Sequence, residues 1–183
     1  VKEELVAEHP DVPDYVYSLS VSYDVRGIIL RDLDRSEDSI AEFYKAIEIR
    51  EQLIKDYPDV PGYRLGLASG YHGVAVTFSL LGKQENAIEM YSKAMSIHAL
   101  LVKDYPIEIS YSQRLASSYY ALGYAFMKLN NPSKAIGAYR NAIEIRAQIV
   151  EDHPDLPEDV SKLAHSHVNL GEAFQNIGKT DQA

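Results

Sequence analysis

The sequence predicts an all-α fold, a stacked array of helix pairs, and three observations carry that prediction. A proline-marked motif returns at a fixed interval: His9-Pro10-Asp11-Val12-Pro13, Tyr57-Pro58-Asp59-Val60-Pro61, Tyr105-Pro106-Ile107-Glu108-Ile109 and His153-Pro154-Asp155-Leu156-Pro157, a period of 48 residues without slippage. Superposing the copies at that interval aligns like residues in columns. Within each copy the columns fall 3 and 4 residues apart, which is helical spacing. An internal period of this size denotes an array in which each unit buries its apolar face against its neighbours.

The elements follow in order. Leu19/Leu67/Leu115/Leu163, Tyr23/Tyr71/Tyr119/His167, Gly27/Ala75/Gly123/Gly171, Leu30/Phe78/Phe126/Phe174 and Leu33/Leu81/Leu129/Ile177 predict a first helix from about Asp14 to Leu33 in copy one, and its equivalents later. The Tyr23 column reads as core aromatic. A polar break follows at Asp34-Arg35-Ser36, Gly82-Lys83-Gln84, Asn130-Asn131-Pro132 and Gly178-Lys179-Thr180. Asp, Gly and Asn tolerate the left-handed backbone of a helix end, and Pro132 suits the first turn of the next helix. A second helix carries Ser39/Ala87/Ala135, Ile40/Ile88/Ile136, Phe43/Tyr91/Tyr139, Ala46/Ala94/Ala142, Ile47/Met95/Ile143, Ile49/Ile97/Ile145 and Leu53/Leu101/Ile149. Small residues in the Gly27 and Ala46 columns permit close helix approach, and the aromatics fill the space beside them. In the closing loop, Asp11, Asp59 and Asp155 are expected to cap the next helix. Pro13, Pro61 and Pro157 are expected at its first position, where a missing N–H costs nothing. Copy three, with Ile107 and Ile109, lacks both signals and is expected to open more loosely. His9 and His153, in one column with Tyr57 and Tyr105, are expected to pack as rings.

Composition narrows the function. The chain has 183 residues, a net charge of −9 and no cysteine, so disulfide and thiol chemistry are excluded. The absence of cysteine fits a reducing compartment. No basic stripe of the kind that neutralises phosphates is present, so nucleic acid is not an expected partner. Basic residues are spread singly, and Arg50 and Arg146 read as outer-face positions. No apolar run long enough to span a membrane and no signal peptide are visible.

The columns resemble the tetratricopeptide repeat, whose pattern sets an aromatic, Leu-Gly, a second aromatic, Ala, an aromatic and Ala at fixed spacing. Leu122-Gly123, Phe126, Ala135, Tyr139 and Ala142 are the best copy; Leu170-Gly171, Phe174 and Ala183 begin another. The usual period is about 34 residues; the additional length extends the second helix at its end and the first at its start. The chain looks like an extended 48-residue variant found in bacterial multidomain proteins, often beside serine/threonine kinase domains. The resemblance implies a right-handed α-solenoid of antiparallel helix pairs over residues 1–183. It comprises a partial helix 1–8, repeats 9–55, 56–103 and 104–151, and a partial repeat 152–183. Val1 aligns inside a second helix and Ala183 just inside another, so the chain reads as a fragment of a longer array. The first helix of copy four, around Leu163, Leu170, Phe174 and Ile177, is expected to lack its cover, and so to associate end to end as a homo-dimer or to fray.

The resemblance also implies where a partner binds: the inner groove lined by first helices. Its positions are Val21, Asp24, Ile28, Arg31 and Asp32; Ser69, His72, Val76, Ser79 and Leu80; Ser117, Tyr120, Tyr124, Met127 and Lys128; and His165, Val168, Glu172, Gln175 and Asn176. Of these, Asp24, Ile28, His72, Val76, Leu80, Tyr120, Tyr124, Met127, Lys128, His165 and Glu172 are the candidate groove set. The alternative for Tyr120, Tyr124 and Met127 is packing into the lengthened helices. The carboxylate-clamp mode of chaperone-tail binders is not implied. Asp24 and Ile28 stand where Lys and Asn are needed, and Ala121 replaces a basic residue. His165 and His167 are two apart on a helix and diverge, so they form no metal pair. Asp32, Asp34, Glu37 and Asp38 lack the glycine and spacing of a calcium loop. No nucleophile elbow or phosphate loop occurs. The expected function is therefore a cytoplasmic protein–protein interaction scaffold without catalysis or cofactor, taking a peptide or protein segment in its groove. The alternative is a structural spacer or self-association module of a larger bacterial, kinase-linked protein.

Overall fold

A computed structural model describes residues 2–180, with side chains from 4 to 177. Eight helices account for the regular structure of the described residues: α1 (Lys2–Glu8), α2 (Pro13–Asp32), α3 (Ser36–Asp56), α4 (Pro61–Leu80), α5 (Gln84–Asp104), α6 (Ile109–Lys128), α7 (Pro132–Asp152) and α8 (Pro157–Thr180). The first-helix boundary falls within a residue of the sequence expectation. The chain divides into two compact units, Val1–Ile97 and His98–Ala183, the division falling within α5.

In the first unit α2 packs on α1 and α3, and α4 packs on α3 and α2. Phe43, Ala46, Ile47 and Leu53 of α3 are buried, as are Leu67, Val74 and Ala75 of α4, which packs on it. In the second unit α7 packs between α6 and α8. Tyr139, Ala135 and Ile136 of α7 meet Ala173 of α8 in its core, with Tyr120, Phe126, Met127, Leu170 and Ile177 against them. The small column is a packing requirement at Gly27 and Gly123. A Cβ built on Gly123 lies 2.5 Å from the Tyr139 ring, and one on Gly27 lies 3.0 Å from Phe43.

The sequence reading missed a second set of glycines. Gly66, Gly70 and Gly73 line one face of α4, spaced 4 and 3 residues apart. A Cβ on them would stand 2.8 Å from Arg50, 2.9 Å from Ile47 and 2.5 Å from Phe43 respectively. Thr77 completes the stripe, with its hydroxyl 3.5 Å from that of Ser39. The glycines let α3 lay its large side chains across the α4 backbone.

The interhelical turns behave as their chemistry demands. Asp34, Gly82 and Asn130, one column of the repeat, all adopt positive φ, at 60°, 73° and 52°. Asn131 caps α7, its side chain accepting from the Lys134 N–H at 3.2 Å. Pro13 and Pro61 open their helices. Three local expectations are corrected. The N-cap positions are Val12 and Val60, without a side-chain cap bond, so Asp11 and Asp59 do not cap. Copy three does not open more loosely: Glu108 takes φ −86° and ψ 93°, against −97° and 101° at Val12. Helix α8 runs through the expected break at 178–180. Three of the four loop rings pair as expected, at centroid distances of 6.1 Å for His9–Tyr15, 6.3 Å for Tyr57–Tyr63 and 5.9 Å for Tyr105–Tyr111.

Candidate functional site

The groove candidates lie on first helices of both units, and each unit presents its own set. In the first unit, Ile28 on α2 and Leu80 on α4 are 42% and 68% exposed. Val21, Val25 and Ile29 add open aliphatic surface to α2. His72 stands with its ring 5.3 Å from Tyr91. Burial on that side, helped by repulsion from Arg31, lowers its pKa from the ordinary imidazole value, although part of the residue stays open to solvent. Val76 is half-buried.

Asp24 has a different role from the one expected. Arg50, only 1% exposed, forms an ion pair with it at 2.6 Å. The same guanidinium donates to the Gly66 carbonyl at 2.8 Å and lies 5.6 Å from the Tyr17 ring centroid. Burial raises the Asp24 pKa, outweighing the hydrogen bond and charge of Arg50 that pull it down. The carboxylate is thus half of a buried clamp.

In the second unit Tyr124 is 46% exposed, with the Lys128 ammonium 5.1 Å from its ring centroid. Val168 on α8 is open, and His165 and Glu172 are exposed beside it. The His165 ring nitrogen Nδ1 lies 2.8 Å from the Ser161 carbonyl one turn back, a bond within its own helix. Met127 packs against the core cluster. Tyr120 is half-buried: its ring is 5.7 Å from Tyr139, Arg146 stacks on it at 5.1 Å, and Asn169 donates to its hydroxyl. Tyr124 offers its ring outward, while Tyr120 belongs to the wall behind it.

The outer-face reading of Arg50 and Arg146 is overturned by this packing. Arg146 is 5% exposed and donates to the Lys162 carbonyl at 2.8 Å and to the Ser166 hydroxyl. Burial lowers its pKa from the usual guanidinium value. The two arginines occupy one column and reach the same backbone acceptor, sixteen residues on, in the following first helix. His98 takes the column in between and pairs its Nδ1 with the Ser118 hydroxyl at 2.9 Å. The sequence held a signal for this: a basic column at the repeat interval, followed twenty residues later by the small column Gly70/Ser118/Ser166.

His167 is likewise corrected, being exposed rather than core, in a column whose tyrosines are half-buried. Tyr71 of that column donates to Glu51 at 2.8 Å, and burial with this bond pushes its pKa to about 12. No group of three or more metal-ligating side chains occurs among the described residues. No described helix is long and apolar enough to cross a membrane.

Residues 68–98 and 116–149 match the family model of the tetratricopeptide repeat. Solved structures share the fold. BtubC (BKLC) from P. vanneervenii has a TM-score of 0.70 at 19% identity, over 97% of this chain and 64% of that one. The apo form of RapI gives 0.58 at 16%, over 98% and 62%. The N-terminal domain of stress-induced protein-1 from C. elegans gives 0.53 at 16%, over 83% and 97%. The chain spans less than two thirds of the BtubC and RapI chains. No curated protein is detectably similar in sequence.

Proposed function

From the premise that this chain carries tetratricopeptide repeats, we propose that it is a non-catalytic interaction scaffold whose units each take a peptide or protein segment on their first-helix face. One observation carries the reading: large apolar side chains on the first helices of each unit, Ile28 and Leu80 in the first and Tyr124 and Val168 in the second, remain 42–68% exposed. Exposed apolar side chains gathered on one face mark interaction surfaces. Tyr124 is the anchor we select, an open aromatic on a wall made rigid by Tyr120, Tyr139 and Arg146. The working location is the cytoplasm, with neither nucleic acid nor membrane as partner, in keeping with the net charge of −9.

The test uses a partner recovered from native lysate with the whole chain. Truncating a buried aromatic anchor commonly costs about 2 kcal/mol or more, which is roughly a 30-fold loss of affinity. Tyr124→Ala should weaken capture by that factor while leaving the helical circular dichroism signal intact. Full affinity in Tyr124→Ala and Ile28→Ala, with loss from Lys45→Glu on the opposite helix, sinks the reading.

A second reading, end-to-end self-association, is favoured by the uncovered faces of α2 and α8. Val25, Ile29 and Leu33 are 50–63% exposed, Phe174 is 47% exposed, and a Cβ on Gly171 meets nothing within 4 Å. Sedimentation should then show a dimer that Ile29→Lys or Phe174→Lys dissociates; a strict monomer at high concentration refutes it.

A further inference from the structure

A cleft recurs in the two units, away from the first-helix face. In the first unit it has a volume of about 610 Å³, between the closing loop with the start of α2 and the last turns of α3. In the second it has about 660 Å³, between the equivalent loop with the start of α6 and the last turns of α7. The linings correspond at twice the repeat interval: Pro10 with Pro106, Ile49 with Ile145, Glu48 with Glu144. Even an internal bond is repeated. Gln52 donates to Asp56, and Gln148 to Asp152, each at 2.9 Å. These walls are the start of the first helix and the end of the second, where a 48-residue repeat exceeds the usual length of about 34. The added residues thus build a concavity as well as lengthening helices.

The chemistry of the cleft is two-sided. Its lining is partly apolar, from Pro10, Pro13, Val16 and Leu53 in the first unit and from Pro106, Ile109 and Ile149 in the second, with Leu53 and Ile149 the buried members. Its edge is acidic. Asp11, Glu48, Glu51 and Asp56 face one base, Lys55, in the first, and Glu144 and Asp152 face no Lys or Arg in the second. Neither Glu48 nor Glu144 forms an ion pair among the described residues. The column that holds Asp11 holds Ile107 on the lip of the second cleft, 98% exposed. An arginine or lysine side chain has the matching two parts. Its methylene stem can lie along the apolar lining while its cationic head reaches the carboxylates beside it. A second copy of this chain, at net charge −9, is the poorer complement.

We propose that each of these clefts, by itself, binds a basic segment of a partner protein, one in which arginine or lysine alternates with aliphatic residues. The proposal stands independently of the first-helix surface. The probe is a short fluorescein-labelled peptide of alternating arginine and leucine, with a glutamate–leucine peptide as control, titrated into the whole chain. Binding should weaken with salt and perturb backbone amide resonances in 10–16, 48–57, 106–112 and 144–153. Glu48→Lys with Glu144→Lys should weaken it at least tenfold, and the isosteric Glu48→Gln with Glu144→Gln by less, which covers a charge-reversal variant that fails to fold. Glu37→Lys with Glu85→Lys, the same charge change outside the clefts, should leave affinity within about twofold, because exposed charges beyond a Debye length are largely screened. No binding, equal binding of the control peptide, unchanged affinity in the Glu48/Glu144 variants, an equal loss in the Glu37/Glu85 variant, perturbations centred on Ile28 and Tyr124, or peptide-independent self-association through the clefts overturns the proposal.

Discussion

Replacing Gly73 by alanine adds one methyl group to the middle of α4. An ideal Cβ there stands 2.5, 2.7 and 2.8 Å from three ring atoms of Phe43. Carbon atoms in van der Waals contact sit about 3.5–4.0 Å apart, so the ring or the helix must give by roughly an ångström. Phe43 is 2% exposed and has no open side to move toward. Overpacking of this kind costs about 1–3 kcal/mol. It opposes the gain of about 1 kcal/mol that alanine brings over glycine in a helix interior. The informative quantity is therefore the gap from a glycine with free space in the same helix. Gly62 has nothing within 4 Å of an added Cβ. Its alanine variant should be neutral or more stable by up to about 1 kcal/mol. Gly73→Ala should fall about 1–3 kcal/mol below it in urea unfolding followed by circular dichroism. Phe43→Leu should relieve the clash, so the double variant should show a favourable coupling of about 0.5–3 kcal/mol against the sum of the singles. Equal stabilisation by the two alanines, or strict additivity with Phe43→Leu, would refute the proposed contact between the helices.

Three further predictions concern the clamp, the turn and the imidazole. Arg50→Ala leaves the Asp24 carboxylate half-buried without its ion pair and should cost about 3 kcal/mol. Arg50→Met with Asp24→Leu should recover most of that loss in the same assay, and a single variant of native stability would contradict the clamp. Gly82 holds φ +73°, so Gly82→Ala should destabilise by about 1–2 kcal/mol, whereas Asn130→Gly, at the same turn in the second unit, should cost little. His72 titrates below its ordinary 6.5 in the folded chain. Between that lowered value and 6.5 the unfolded chain binds more protons, so stability falls as pH drops through this window. His72→Gln should flatten the stability profile there; an unchanged slope would mean that the ring is not desolvated against Tyr91.

The parts of the fold legible in the sequence were those fixed by spacing and local backbone chemistry. Helix pairs, their lengths and the left-handed turn column at Asp34, Gly82 and Asn130 follow from periodicity and from which residues tolerate positive φ. Capping by Asp11 and Asp59 was misread because Val12 and Val60 take the N-cap dihedrals, and the prolines already fix the first turn. The arginines were misread because a charge in a column looks like surface until its acceptors are known. Those acceptors are a backbone carbonyl with an aspartate twenty-six residues away for Arg50, and a backbone carbonyl with the Ser166 hydroxyl for Arg146, which no local pattern displays. The glycine stripe of α4 escaped because it is peculiar to one copy, where α6 carries Arg114, Ser118 and Ala121 instead. On the first-helix face, register placed Tyr120 and Tyr124 together. Only packing separates them, since Arg146 and Asn169 hold the former and leave the latter outward.

The arginine clamp also bears on how such arrays are assembled and altered over time. In both units the guanidinium is received by a main-chain oxygen, of Gly66 in one and of Lys162 in the other. A main-chain acceptor is present whatever side chain stands there. A module carrying arginine at this column is thus compatible with any successor whose backbone follows the same helical path. Such modules can be duplicated, deleted or exchanged without inventing a new junction, and the side chains of the following helix remain free to diverge apart from Ser166, whose hydroxyl is a second acceptor in the second unit. His98 and Ser118 mark where that interchangeability is given up. Their junction is a bond between two side chains, with no main-chain acceptor in it, so the module after His98 is tied to its neighbour by side-chain identity.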